Sequence, residues 1–254
     1  MAAKGLIIFA FIFMLVSCSM LYVDFSELYE ENGLMYLTEN DMIFSGTAVE
    51  YYENGQIKRH VEFSDGKKDG KNATWYSNGL QEFEGYHKEG IKEGHYSAWY
   101  QDGIKGMDAN YKNDLLDGKY SAWFENGNLK ESGNYVAGKR TGPWEWIYDN
   151  GQKWINISFS DGKENGHWTA WFDNGQVREE TEYLNGQKNG YWVEYYKSGV
   201  KLSEGNFING KETGEWTWWF ENGIVQYKRI FENGIIKEES EWDEEGKPVS
   251  RIQP

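Results

Sequence analysis

Residues 166–190 read GHWTAWFDNGQVREETEYLNGQKNG, and this stretch decides the fold. From His167 to Asp173 the chain alternates, so Trp168, Ala170 and Phe172 belong to one face of a strand and His167, Thr169 and Trp171 to the other. Asn174-Gly175 follows, a pair suited to a two-residue type I′ hairpin turn in which both residues take positive φ. Gln176 to Tyr183 mixes charges with β-branched residues and reads as the returning strand, closed by Tyr183. Asn185-Gly186 then turns the chain into the next unit, and Gly190 restarts the register. One such stretch predicts one β-hairpin.

The stretch is a copy among copies. Gly46, Gly70, Gly94, Gly118, Gly142, Gly166, Gly190 and Gly214 stand 24 residues apart, and Gly55 to Gly223 keep the same step. Six residues after each of these starting glycines sits Tyr52, Tyr76, Tyr100, Phe124, Tyr148, Phe172, Tyr196 or Phe220. One position earlier, every unit but that of Ile147 carries a ring. Neighbouring strand positions face opposite ways, so both faces of the sheet are expected to carry rings. A fixed period means one supersecondary unit that buries its apolar surface only against its neighbours. The fold class is therefore all-β: an elongated antiparallel array of tandem 24-residue hairpins. Eight copies fill residues 46–237, with a degenerate cap before them in 18–45, around Tyr29 and Asn32-Gly33, and a second cap and tail in 238–254, where Glu238 replaces the next glycine. Internally, Asp114 replaces an inter-unit glycine and His87 a closing aromatic, which leaves the local geometry open there.

The pattern G-x-W-x-x-W-[YF]-x-N-G, closed by a later aromatic and paired glycines, resembles the MORN-repeat variant found in bacterial proteins of the YwqK-like antitoxin group. The resemblance holds in register from residue 46 to about residue 234. It implies an all-β recognition array. The antitoxin role is a property of that group at large and is not carried by these residues.

The N-terminus differs in kind. Lys4 is the one charge before an apolar run from Gly5 to Val16, too short for a permanent span, and Leu15-Val16-Ser17-Cys18 resembles the lipobox of bacterial lipoproteins. The resemblance implies that residues 1–17 are a signal peptide and that Cys18 is acylated and anchors the protein in a membrane. Ser19, in place of Asp, leans towards the outer membrane of the cell envelope. An ordinary secretory signal with an incidental Cys is the alternative. Cys18 is the one cysteine, so no disulfide framework is expected.

Composition narrows function. A formal charge of −15 opposes non-specific nucleic-acid binding. His60, His87, His95 and His167 have no metal-ligand spacing, and Ser64-Asp65-Gly66 and Ser160-Asp161-Gly162 lack the alternating acids of a calcium loop. The glycines are turn punctuation and open no phosphate-binding helix. No enzyme, metal or cofactor is expected. The sharpest candidate surface is a register two residues after each starting glycine, which runs Ala48, Asn72, Tyr96, Tyr120, Trp144, Trp168, Trp192 and Trp216, widened by Trp146 and Trp218. It reads either as tighter packing or as a hot-spot stripe for a protein partner. A glycan or choline-type amine is the alternative ligand, since choline-binding repeats also use glycine and paired aromatics, although the 24-residue step fits them less well.

Overall fold

The computed structural model describes residues 21–249. Each hairpin strand pairs antiparallel with the next in sequence, from Gly46–Tyr51, Ile57–Ser64 and Lys67–Trp75 through to Val225–Glu232 and Ile235–Glu241. The result is a single elongated meander of tandem repeats. The one helical element among the described residues is the 3-10 turn Phe25–Glu27.

Two kinds of turn alternate, and the Asn174-Gly175 turn is not the type I′ turn expected of it. At Asn174-Gly175 only the glycine has positive φ, at 84°. Phe172 N–H donates to Gln176 O and Gly175 N–H to Phe172 O, which makes a three-residue loop with the glycine as bulge residue. Asn stays on the negative-φ side because its side chain is engaged within the loop: Oδ1 accepts from the N–H two residues on, at 3.1 Å in Asn174 and 2.9 Å in Asn150. The type I′ turns are the inter-unit ones. Asn185 and Gly186 have φ of 53° and 85°, and Asn113-Asp114 keeps that shape without a glycine, at 51° and 64°.

These loops are stitched along the array. Asn54, Asn78, Asn126 and Asn150 each donate from Nδ2 to a carbonyl in the next unit's loop, at 2.7–2.8 Å. Tyr52, Tyr76, Tyr100, Tyr148 and Tyr196 donate from their hydroxyls to the carbonyl of Trp75, Trp99, Trp123, Trp171 and Trp219. One rim of the sheet is thus crosslinked repeat to repeat by side chains that the period itself supplies.

The N-terminal edge is closed by strand Tyr22–Asp24, which pairs in parallel with Gly46–Tyr51. The Asn32-Gly33 hairpin, Leu28–Glu31 with Leu34–Leu37, forms its own two-stranded sheet and packs beside the first repeat instead of extending the edge. Phe25, Leu28, Met35 and Leu37 cover a core of Val23, Phe44, Ala48, Val61 and Phe63. A second core cluster, Trp144, Ile157 and Phe159, lies at mid-array. The opposite edge strand is blunted by charge, with the run Lys237 to Glu239 and Glu241.

Candidate binding face

The cross-strand register assembles one face from positions far apart in each unit. Trp144 stands opposite Ile157 and Trp146 opposite Ile155; Trp192 stands opposite Gly205, and Trp216 opposite Arg229. The tryptophan stripe of the sequence is therefore real as a row, but half of it lies inside. Trp144, Trp192 and Trp216 are 1%, 9% and 4% exposed and belong to the core. They offer no surface as they stand, so at these three positions the register is packing, the first of its two readings. Trp146, Trp168 and Trp218 are half-buried, and Trp154, which the register did not single out, is 40% exposed.

Glycines make that burial possible. A Cβ on Gly133 would meet Trp144 at 2.2 Å, one on Gly205 would meet Trp216 at 2.1 Å, and one on Gly85 would meet Tyr96 at 2.3 Å. These glycines do not serve turns; they leave room for a ring from the following unit. The rings then stack on one another, Trp144 with Trp146 at 5.6 Å and Trp216 with Trp218 at 5.7 Å. Each favourable pair adds about 0.5–1.5 kcal/mol beyond burial. Their indole N–H groups are satisfied: Trp144 donates to Asn134 O, Trp216 to Asn206 O, Trp146 to Glu131 and Trp192 to Glu179.

Cations complete the face. Arg140 lies 4.7 Å from the Trp144 ring, and Lys188 lies 5.2 Å from Trp192 and 5.4 Å from Phe207. Lys188 also pairs with Glu179 at 2.6 Å. Beside it, burial and then the neighbouring Glu179 carboxylate push the Glu194 carboxyl above its usual range. Burial, then Glu179 and Glu164, push the Tyr183 phenol upward. The face is thus aromatic and electronegative around Trp168 and Tyr183. A cavity of about 190 Å³ opens there, lined by Arg140, Trp146, Trp154, Glu164, Trp168 and Tyr183, with Ile155, Ile157 and Phe159 behind them.

The other face sets polar side chains among its own rings, with Lys105 5.8 Å from the Trp99 ring. Ser97 donates to Asp108 at 2.7 Å, while His95 Nε2 lies 3.0 Å from Ser97 Oγ and 3.1 Å from Asp108. This is not a nucleophile relay. Relay chemistry needs the imidazole between hydroxyl and acid, using both ring nitrogens, whereas here the serine reaches the acid directly and one nitrogen faces both. Although burial works against it, hydrogen bonds from Lys105 and Ser97 hold Asp108 below the usual carboxylate range. His167 likewise contacts Glu182 at 3.0 Å and Thr169 at 3.1 Å. Among the described residues no group of three His, Cys, Asp or Glu is placed to hold a metal ion.

A family model described as the MORN repeat variant matches residues 45–65, 116–137, 164–185, 188–209 and 212–233. Over these five segments the chain is similar to the MORN repeat variant. The hairpins between the matched segments keep the same geometry: Glu89-Gly90 and Asp161-Gly162 are positive-φ turns like those of the matched segments. No curated protein matches the chain. Along the repeat array, rings stack and loop side chains stitch one unit to the next. The residue expected to be lipidated, Cys18, and the expected signal segment 1–17 lie outside the described residues.

The cations and the ring-seating glycines were missed from sequence. Lys68, Lys92, Arg140 and Lys188 share one register of the repeat, and that shared register was the available signal.

Proposed function

We propose that this protein is a binding scaffold of the bacterial cell envelope, held to a membrane, with the outer membrane favoured, through acylated Cys18, and that it presents its repeat face to a protein partner. The observation that carries the reading is the MORN array itself: a long sheet, stitched into a stiff surface, with a half-open aromatic stretch at Trp146, Trp154 and Trp168. Aromatic anchors at the margin of a rigid surface are what protein recognition uses. A charge of −15 makes a basic partner the favoured kind and an anionic nucleic acid a poor one.

The resemblance to YwqK-like antitoxins supports a second reading, an envelope immunity protein whose partner is a toxin. Exposed rings also suit a glycan or a choline-type amine.

The test is membrane fractionation with mild crosslinking in a bacterial host, comparing the unmodified chain with Cys18→Ser. The unmodified protein is expected in the membrane fraction, shortened by the signal and crosslinked to a discrete partner. The variant is expected to remain unprocessed and to lose lipid-dependent partitioning. Normal maturation of Cys18→Ser would remove the anchor, and absence of any discrete crosslink would remove the scaffold role.

A further inference from the structure

Two residues before successive starting glycines the chain runs Lys92, Leu116, Arg140, Glu164, Lys188 and Glu212. At Lys92, Arg140 and Lys188 the cation lies on a ring pair of its own chain, four and nineteen residues further on. The pairs are Tyr96 with Tyr111, Trp144 with Phe159, and Trp192 with Phe207. The pair at the same offsets from Glu164 is Trp168 with Tyr183. Its rings stand 6.4 Å apart, against 6.3 Å for Trp144–Phe159 and 6.3 Å for Trp192–Phe207. The ring spacing is that of the tryptophan pairs on either side, with the rings tilted at 58°, but a carboxylate stands where its neighbours have a cation.

The remaining platforms are closed in other ways. Tyr120–Tyr135 has the aliphatic Leu116 in that register, and Trp216, beside Glu212, is 4% exposed. Trp168 is half-buried and borders the open cavity. Glu164 is also half-buried and forms no ion pair with any described residue, whereas Glu179 nearby is taken by Lys188 and Trp192. Arg140 reaches the cavity from the neighbouring hairpin but is already seated on Trp144, Trp146 and Phe159.

We propose that the cavity bounded by Glu164, Trp168 and Tyr183 takes a lysine or arginine side chain from a basic segment of a partner protein. The charge sits against Glu164, and the aliphatic stem lies along Trp168 and Trp154. The partner thereby completes the series that Lys92, Arg140 and Lys188 supply from within. This rests on the scaffold reading above and names the chemistry its partner must have. Ring faces and an unpaired carboxylate together favour a cation over a neutral side chain, and the acidic chain steers a basic segment towards the site.

The test titrates the full-length protein with a short peptide of alternating lysine and glycine, read by calorimetry. The same peptide acetylated on its lysines is run beside it. Glu164→Lys supplies the cation from inside the chain, as Arg140 and Lys188 do, while Glu212→Lys makes the same charge change one unit away. Glu164→Lys and lysine acetylation are each expected to weaken binding about tenfold or more, and Glu212→Lys less than about threefold. Thermal unfolding of Glu164→Lys should match the unmodified protein or exceed it; should it unfold, Glu164→Gln takes its place, with a smaller loss of the same sign.

Equal losses in both lysine variants would mean attraction to the overall charge and would overturn the pocket. So would unchanged binding in Glu164→Lys, or no binding of the lysine peptide at all. The scaffold reading fails separately. A partner crosslinked equally well by Glu164→Lys sinks the pocket and leaves the scaffold standing, whereas a chain that binds the peptide but crosslinks no partner loses the scaffold and keeps the pocket.

Discussion

The indole of Trp216 occupies the space in which a side chain at Gly205 would begin, since a Cβ there would meet the ring at 2.1 Å. The two residues lie in adjacent strands of the meander. Glycine at 205 weakens its own strand, and the large ring seated over it restores the lost packing. The same pairing recurs at Gly133 with Trp144 and at Gly85 with Tyr96, so the deepest rings of the array are the ones with a glycine beneath.

Gly205→Ala should therefore destabilise, although alanine normally suits a strand better than glycine. Overpacking of this kind costs about 1–3 kcal/mol, because a ring held by Trp192, Phe207, Trp218 and Phe231 cannot swing clear. Denaturant unfolding of Gly205→Ala, Trp216→Val and the double variant gives the coupling directly. The double variant should lose less than the sum of the singles. Strict additivity would mean that the two residues do not compete for one space.

The loop stitching makes a second expectation. Asn150 accepts the Gln152 N–H at 2.9 Å and donates to Asp173 O at 2.8 Å in the next unit. Asn150→Ala removes both bonds and should cost about 1–2 kcal/mol. Asn150→Asp keeps the acceptor but aims a carboxylate oxygen at a carbonyl, so it should fall near the alanine variant. Unfolding midpoints of the two variants decide this, and a full recovery in Asn150→Asp would show that the inter-unit bond contributes nothing.

His87 stands where other units close with Tyr or Phe. Burial, then the nearby Lys68 and Lys92 charges, hold its imidazole below the ordinary 6.5, with Asp114 opposing. Its folded-state pKa is depressed, so the unfolded chain takes up the proton first. Stability from this group is intact above about pH 6.5 and is lost as pH falls below it. Glu194, whose carboxyl is raised by burial and Glu179, acts in the opposite sense. His87→Tyr should flatten the fall in melting temperature between pH 7 and pH 5, measured against the unmodified chain. An unchanged slope would assign the acid sensitivity elsewhere.

The repeat, the strands and the hairpins could be read from sequence because glycine spacing and strand alternation are local signals. The type of the Asn174-Gly175 turn was not legible for a physical reason. Asn-Gly suits a type I′ turn and a bulged three-residue loop alike, and the choice rests on whether Phe172 or Asp173 pairs across it, which is a matter of sheet register. The fate of the tryptophans depended on register too. Trp144 and Trp168 occupy the same position in successive units, yet the preceding strand offers Gly133 to Trp144 and Ile157 at the equivalent position to Trp168. The smaller residue admits the ring, and the larger one holds it out at the cavity. The cations on the ring pairs left only a faint trace, because lysine beside aromatics is common on any charged sheet.

That difference between Trp144 and Trp168 leads to the last expectation. Trp144 is 1% exposed and contacts Tyr120, Tyr135, Trp146 and Phe159, with Arg140 over it. It joins two consecutive hairpins. In an array whose stability is a sum of unit and interface contributions, losing such a residue weakens a joint and not merely one hairpin. Trp144→Ala should cost about 3–5 kcal/mol, as large buried aromatics do. It should also speed hydrogen exchange in the hairpins on both sides of residue 144 before the ends of the array open. Trp168, half-buried and in ring contact with Tyr183, should cost well under half as much on the same change, with faster exchange confined to its own hairpin. Calorimetry beside site-resolved exchange on the two variants separates these outcomes. Equal costs would mean that both rings are plain core, and would remove Trp168 from the exposed face that the binding proposals need.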